Sequence, residues 1–527
     1  MSNDQKKFQL ATRLKIEGRY KEALNIAYRI EEPSVRAAFL IDCGTSAKKT
    51  SVVREGIQNI EEILKTRHRK LSKASLLYNL GNGYSSIYML RRLKGVSLVP
   101  PNDDDLRKAK HAYRESLLEK RGNPASLRTQ TLVNYANSLS AVGRTFEAIE
   151  AYNRALRLDP KNGMAAGNMG TELERVIGIT GRYVHHYSLF ICQLLQNACG
   201  PEMHLTYGGP EAEKAFRAVL DRVQKFVKAK NYHISSLRHV VLKEKPAWLR
   251  RYFRFCLENS LFLNTWVGDQ SVAPAISDEI SYGPITASKS NAEVVPELLR
   301  VLNEIKEAFI TARYLYYVAL SKSIVIEEVS EATSYFGFDL NERCGLPIGL
   351  CKSAYILAFN ILDKVARIAN IGFRIGKRND TFWQVFAEKQ SRGEMHEIRF
   401  VARPAIVNLK NYSLYALSDL CIDYFESEDV DLKTIDYRRN RITHDYLAVF
   451  QKQDRQKLNS DCEITADELY RQTMAVLKLA KYSILYIVSA INISEKRKKG
   501  INEVAIGMKY EKLTSRRPKL YLKLADI

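Results

Sequence analysis

Between Thr131 and Asn162 the chain reads TLVNYANSLSAVGRTFEAIEAYNRALRLDPKN, and the order of small and large residues leaves the backbone few options. Counted from Thr129 as position 1, Leu132, Tyr135, Ala136, Leu139, Gly143, Ala148, Tyr152, Ala155 and Pro160 fall at positions 4, 7, 8, 11, 15, 20, 24, 27 and 32. Small residues at positions 8 and 20 let two antiparallel helices approach closely, and larger side chains fill the groove between them. Pro160 ends the second helix, because proline has no N–H and its ring clashes with a preceding carbonyl. A hairpin of this kind cannot bury its apolar faces alone, so it needs stacked neighbours.

Neighbours can be read on both sides. Upstream, Leu80, Gly81 and Tyr84 suit a first helix, and Ala109, Tyr113 and Ser116 a second. An insertion carrying Pro100-Pro101 and Asp103-Asp104-Asp105 separates them. Gly18, Tyr20, Ala23 and Ala27 have the spacing of a degenerate first unit, and Met169, Gly170 and Leu173 begin another after Pro160. These units resemble tetratricopeptide repeats. The resemblance implies an N-terminal hairpin array over residues 1–182 that engages a protein or peptide partner.

A chain of 527 residues is too long for one ordinary core, which predicts two to four domains. Residues 183–266 read as helical and basic, with Phe216, Val219, Leu220, Val223 and Val227 at helical spacing. From Gly268 to Asn291 charge thins out around Pro274, Gly283 and Pro284, the pattern of a linker or ordered loop; residues 183–294 thus form a connecting region. Long helical patterns follow at Val294–Val329, Lys352–Phe373, Ala405–Phe425, around Arg439, and at Ala466–Ile493, predicting a bundle over 295–495 and a basic tail over 496–527. Strand signals are sparse. The expected fold class is all-α, a hairpin array followed by a helical bundle.

The formal net charge of +22 favours a polyanionic partner, nucleic acid before an anionic membrane surface. It concentrates between Lys214 and Arg254 and in the tail, where Lys496-Arg497-Lys498-Lys499 precede Arg516-Arg517. The eight cysteines contain no C-x-x-C pair, which fits neither a disulfide framework nor a tetrahedral zinc site and suits reduced thiols. The polar first ten residues lack the apolar core of a signal peptide, and the run Tyr482–Ile493 falls short of the ~20 residues a bilayer span requires. A cytoplasmic protein with no membrane partner is expected. Gly372–Arg378 lacks the spacing of a phosphate loop, and His185-His186 has no ligand companions; neither a metal nor a cofactor is expected.

The segment Arg438-Arg439-Asn440-Arg441-Ile442-Thr443-His444-Asp445-Tyr446 holds an arginine, an asparagine after it, and a histidine five places on. It follows a helix with Asn360-Ile361-Leu362-Asp363-Lys364 and another over Leu409–Phe425, and a closing helix follows it. The pattern R-N-x-x-x-H in this setting resembles the HEPN superfamily and, combined with hairpin repeats, its LA2681-like branch. The resemblance implies a metal-independent endoribonuclease acting in bacterial antiviral defence or toxin-like growth arrest. It also implies a homodimer in which two motifs meet in one cleft.

The residue types suit that chemistry. Cutting RNA means removing the 2′-hydroxyl proton, stabilising a crowded phosphorane and protonating the leaving 5′-oxygen. Histidine titrates near neutrality and can move both protons. Arginine stays charged and offers a planar fork to phosphate oxygens. Arg439 is therefore expected to hold the scissile phosphate, His444 to transfer protons, and Asn440 to orient one of them. On an ideal helix Asn440 and His444 share a face, while Arg439 lies about 140° from His444 and must reach around or sit at an irregularity. Tyr446 completes R-x4-H-x-Y, resembling HEPN toxins modified at that tyrosine; a core or dimer-interface tyrosine is its other reading. Arg438, Arg441 and Lys496–Lys499 are candidate RNA contacts, and Glu327, Glu328 and Glu331 are either cleft residues or a solvated helix face. The rival to a nuclease is a non-catalytic scaffold that binds RNA or protein, distinguished by Arg439 and His444 lying apart and packed on the chain's own core.

Overall fold

In a computed structural model, residues 3–66, 71–200, 209–232, 245–266, 273–287, 294–321, 324–331, 333–334, 342–377, 379–392, 397–426, 434–451, 462–498 and 504–506 are described. The fold is all-α with little sheet. Its first half is a run of helical hairpins: α1 (Asn3–Ile16) with α2 (Tyr20–Ala27), α3 (Pro33–Ser46) with α4 (Thr50–Lys65), α5 (Lys73–Leu93) with α6 (Asp104–Leu118), α7 (Ala125–Ala141) with α8 (Thr145–Leu158), and α9 (Gly163–Thr180) with α10 (Val184–Ala198). Ala136, Leu139, Ala148, Tyr152 and Ala155 are all buried between their helices, as their spacing requires.

The hairpin α3–α4 was not read in the sequence. It lacks the tyrosine and proline landmarks of the 131–162 unit, but Gly56 supplies the close approach: a Cβ there would lie 2.8 Å from the Ala37 carbonyl oxygen. The hairpin α9–α10 straddles residue 182. Beyond it, α11 (Gly209–Ala229) packs on α9 and α10, and α12 (Ala247–Glu258) is tied to the second half by Arg313. That buried guanidinium donates to Tyr252 Oη at 2.8 Å, to the Leu261 carbonyl at 2.8 Å and to both Asp278 oxygens at 2.9 and 2.8 Å.

The second half is a bundle of α13 (Val294–Leu320), α14 (Ile324–Glu331), α15 (Leu346–Phe373), α16 (Phe382–Phe386), α17 (Pro404–Leu409), α18 (Tyr412–Glu426), α19 (Ile435–His444) and α20 (Ala466–Arg497). Ion pairs Arg367–Glu297 at 2.8 Å and Lys364–Glu304 at 3.1 Å set α13 antiparallel to α15. By length and composition α15 and α20 could cross a membrane, but α20 is packed against α13, α15 and α18, and a core helix passes the same test. The pattern Val294–Val329 resolves into two helices, α13 and α14. Ala405–Phe425 also divides: Lys410 turns left-handed (φ 48°), and buried Asn411 donates to the Ala490 carbonyl at 3.0 Å while accepting from Ser413 N at 3.1 Å. Among the described residues, three short two-stranded sheets decorate the bundle: antiparallel Ile285–Ala287 with Val504–Ile506 and Ala387–Arg392 with Glu397–Ala402, and parallel Ala448–Phe450 with Glu463–Thr465.

The hairpins from α7 onward share an apolar core with the bundle, whereas buried residues of α1–α6 form clusters of their own, and array and bundle are also pinned by buried charge. Lys110 Nζ lies 2.5 Å from Asp419 and 2.9 Å from Asp423 on α18, and Arg144 reaches the same two carboxylates. Burial pushes the Asp423 carboxyl up, but Lys110 and Arg144 outweigh it and hold it well below the usual carboxylate range. Glu150 pairs with Lys478 at 3.1 Å and accepts from Tyr482 of α20. Gly143 fits only as glycine: its φ is +89°, and a Cβ would meet the Tyr412 carbonyl oxygen at 2.3 Å.

Candidate functional site

Helix α19 carries the Arg–Asn–His motif, and its start is fixed by three neighbouring helices. Tyr355 of α15 donates its hydroxyl to the Ile435 carbonyl at 2.8 Å. Asp436 N donates to Tyr424 Oη of α18 at 2.8 Å, and Gln472 Nε2 of α20 donates to Thr434 Oγ1 at 3.2 Å. The first N–H groups of a helix have no partner within it, and the bond from Asp436 N to Tyr424 satisfies one of them in place of a side-chain cap. Ile435 and Arg438, one turn apart, form the buried face. Arg438 donates to the Glu463 carbonyl at 3.1 Å, tying α19 to the parallel strand pair beside it.

Arg439 projects onto α15. Its guanidinium lies 4.9 Å from the centre of the Phe359 ring, within cation–π range, and 3.7 Å from Asp436 one turn back. One turn along α15 from Phe359, Asp363 accepts from Phe382 N at 3.0 Å. Burial pushes the Asp363 carboxyl up, opposed by that amide and by the charge of Arg439. Trp383 and Tyr424 stack at 4.0 Å beside this group, and burial pushes the Tyr424 phenol up. The result is a half-buried arginine held between the Phe359 ring and Asp436, with its Nε enclosed.

The other motif residues face solvent. Asn440, Thr443, His444 and Asp445 are exposed, and Tyr446 is 62% exposed, which removes its reading as a core residue of this chain. No irregularity intervenes: α19 stays α-helical through His444, with Thr443 Oγ1 donating to the Arg439 carbonyl at 2.8 Å. Within one chain Arg439 and the Asn440–His444 face therefore diverge, as the helical geometry requires. Arg441 is engaged locally, donating to Tyr437 Oη at 2.7 Å and pairing with Asp445.

Among the expected RNA contacts of the tail, Lys496 donates to the Gly178 carbonyl at 2.7 Å and Arg497 to the Leu409 and Lys410 carbonyls at 2.9 Å each. Lys498 pairs with Glu495 at 2.8 Å, whereas Lys499 lies outside the described residues. Glu328 and Glu331 are exposed on α14, and the side chain of Glu327 also lies outside the description. Sequence reasoning named Asp363 only within the helix that precedes the motif, and gave Phe359, Asp436 and Tyr424 no role. Asp436 lies three residues before Arg439, a spacing that brings side chains together on a helix, but nothing linear connects Phe359 or Asp363 to the motif.

No curated protein matches the chain. Residues 289–494, from just before α13 to near the end of α20, match the family of LA2681-like HEPN domains, and it is to these that the motif-bearing bundle is similar.

Proposed function

We propose that the chain is a metal-independent endoribonuclease of the HEPN type, working in the cytoplasm in bacterial antiviral defence or toxin-like growth arrest. The observation that carries this reading is the motif helix itself: Arg439 is braced by Phe359 and Asp436, while Asn440 and His444 stand exposed beside it. In a symmetric dimer two such faces would meet, supplying two histidines and two arginines to one phosphate. His444 of one protomer takes the 2′-hydroxyl proton as that oxygen attacks phosphorus; its partner's equivalent protonates the leaving 5′-oxygen. The products are a 2′,3′-cyclic phosphate and a 5′-hydroxyl. Arg439 neutralises charge developing on the non-bridging oxygens, and Asn440 orients the phosphate or the imidazole. The hairpin array, as a tetratricopeptide module, engages a protein or peptide that sets when cleavage occurs.

A second reading has its own observation. Arg439 is packed against its own bundle and separated from His444 on one helix, as in a non-catalytic scaffold that binds RNA or protein. The deciding experiment incubates the full chain, His444→Ala and Arg439→Ala with total RNA in chelator, with oligomeric state measured by light scattering. Cleavage by the wild type alone, with 2′,3′-cyclic ends from a dimer, supports the nuclease. Equal cleavage by all three proteins, or a wild-type monomer that binds RNA without cutting it, supports the scaffold.

A further inference from the structure

Where α12 lies on α13, the surface carries a face that the motif does not use. Three large side chains stand out from it. Trp248, at the start of α12, is 55% exposed; Ile310 and Tyr314, one turn apart on α13, are 38% and 44% exposed. Rings join the two helices: Tyr252 meets Tyr314 at 5.5 Å and Tyr317 at 5.1 Å, and Phe255 meets Tyr317 at 5.3 Å. These contacts advance in the same direction along both helices. Trp248, one turn before Tyr252, therefore lies toward the Ile310 end of α13. Tyr252 and Cys256 are buried, which keeps α12 docked and leaves its outer edge to a partner.

That edge is cationic. Trp248, Arg251 and Arg254 recur every third residue of α12 and are all exposed, with exposed Lys245 just before them. Of the exposed acids close in sequence, Glu258 sits at the far end of α12 and Glu307 one turn before Ile310. Charge complementarity thus calls for an anionic partner, and the large exposed apolar side chains for one with an apolar layer. A second copy of the chain does not fit, because a symmetric contact would set Arg251 and Arg254 against their own equivalents. A single-stranded nucleic acid would stack bases on ring faces, and Ile310 offers none. Tryptophan and tyrosine settle at the level of lipid headgroups, and arginine buries its stem while keeping its charge at the headgroups.

We infer that this face docks the chain on a bilayer surface bearing anionic headgroups. Trp248 and Tyr314 sit at headgroup level, Ile310 reaches the acyl boundary, and Lys245, Arg251 and Arg254 meet the lipid charges. The contact is shallow, because the buried side of α12 stays on the protein. Vesicle binding is measured without RNA and does not rest on the ribonuclease reading.

The test mixes the full chain with vesicles of equal parts phosphatidylserine and phosphatidylcholine, and with vesicles of phosphatidylcholine alone. Trp248 is the one exposed residue among the three tryptophans, so a blue shift of emission reports its contact. Saturable cosedimentation with the serine-lipid vesicles, accompanied by that shift, is expected. Arg251→Glu/Arg254→Glu should bind about tenfold more weakly at unchanged melting temperature. Should that double variant melt early, Arg251→Gln/Arg254→Gln takes its place, with binding about threefold weaker. Trp248→Ser should lose the shift. Absence of binding to the serine-lipid vesicles, equal binding to both kinds of vesicle, or indifference to the arginine substitutions would overturn the inference. So would a shift produced by single-stranded RNA, or by raising the protein concentration, with none produced by vesicles.

Discussion

The guanidinium of Arg439 rests 4.9 Å from the centre of the Phe359 ring, so the motif arginine is oriented by a helix far away in sequence. A lysine cannot reproduce that stacking or offer a planar fork. Both Arg439→Lys and Arg439→Ala are expected to lower RNA cleavage by about 10²–10³-fold, the scale for losing one preorganised donor to a developing oxyanion. Cleavage rates on a labelled RNA in chelator check this, and a lysine variant that retains full activity would remove Arg439 from the proposed chemistry.

Asp363 is expected to act through the charge of Arg439. Its carboxylate shares the arginine's surroundings and accepts from Phe382 N. Asp363→Asn keeps an acceptor for that amide and removes the charge, so the fold should stay within about 1 kcal/mol of the wild type. RNA cleavage should fall about tenfold with little change in KM, a loss made in the transition state alone. Steady-state kinetics beside a thermal melt separate positioning from simple destabilisation.

Acid should loosen the clamp between array and bundle. Lys110 and Arg144 hold Asp423 below its ordinary value despite burial, so the folded protein keeps this charge where the unfolded chain, with carboxylates near about 3.9, has begun to protonate. The stabilisation is complete above the unfolded value and is lost as pH falls through it toward the depressed folded one. Asp423→Asn leaves buried cations short of a partner and should cost about 3–5 kcal/mol at neutral pH. Melting temperatures recorded from about pH 5 to about pH 3 should fall less steeply in the variant than in the wild type; parallel slopes would contradict the assignment.

Gly143→Ala is a steric test of the same interface. The new methyl would meet the Tyr412 carbonyl oxygen, at a left-handed φ of +89°. Strain and overpacking together predict about 1–3 kcal/mol of lost stability. Chemical denaturation measures it, and a neutral result would mean that the contact gives way easily.

Tyr424→Phe removes the acceptor for Asp436 N while keeping the ring stacked on Trp383. The cost should be about 1 kcal/mol and local. Hydrogen exchange should quicken over α19 and remain unchanged in the hairpins α1–α4.

How much of this was legible follows from what each feature depends on. Helix and hairpin follow from spacing along the chain: Ala136, Ala148 and Ala155 had to be small and buried wherever the hairpin lay, and the helices around Arg439 and Ala466 were readable from their patterns. Breaks were less legible. Lys410 and Asn411 end one helical pattern and begin another through bonds to Ala490, which local sequence does not announce.

By itself, then, the sequence determined an all-α chain with stacked hairpins, a motif helix and a surplus of positive charge. Its helical period also determined that Asn440 and His444 share a face that Arg439 does not, because that follows from 3.6 residues per turn. Tertiary structure decided what surrounds each of them. Phe359, Asp363 and Tyr424 reach the motif through the packing of α15 and α18, and Lys110 meets Asp423 because the array folds against the bundle. Burial and electrostatic partnership depend on distances between segments remote in sequence, and a linear pattern does not encode those distances.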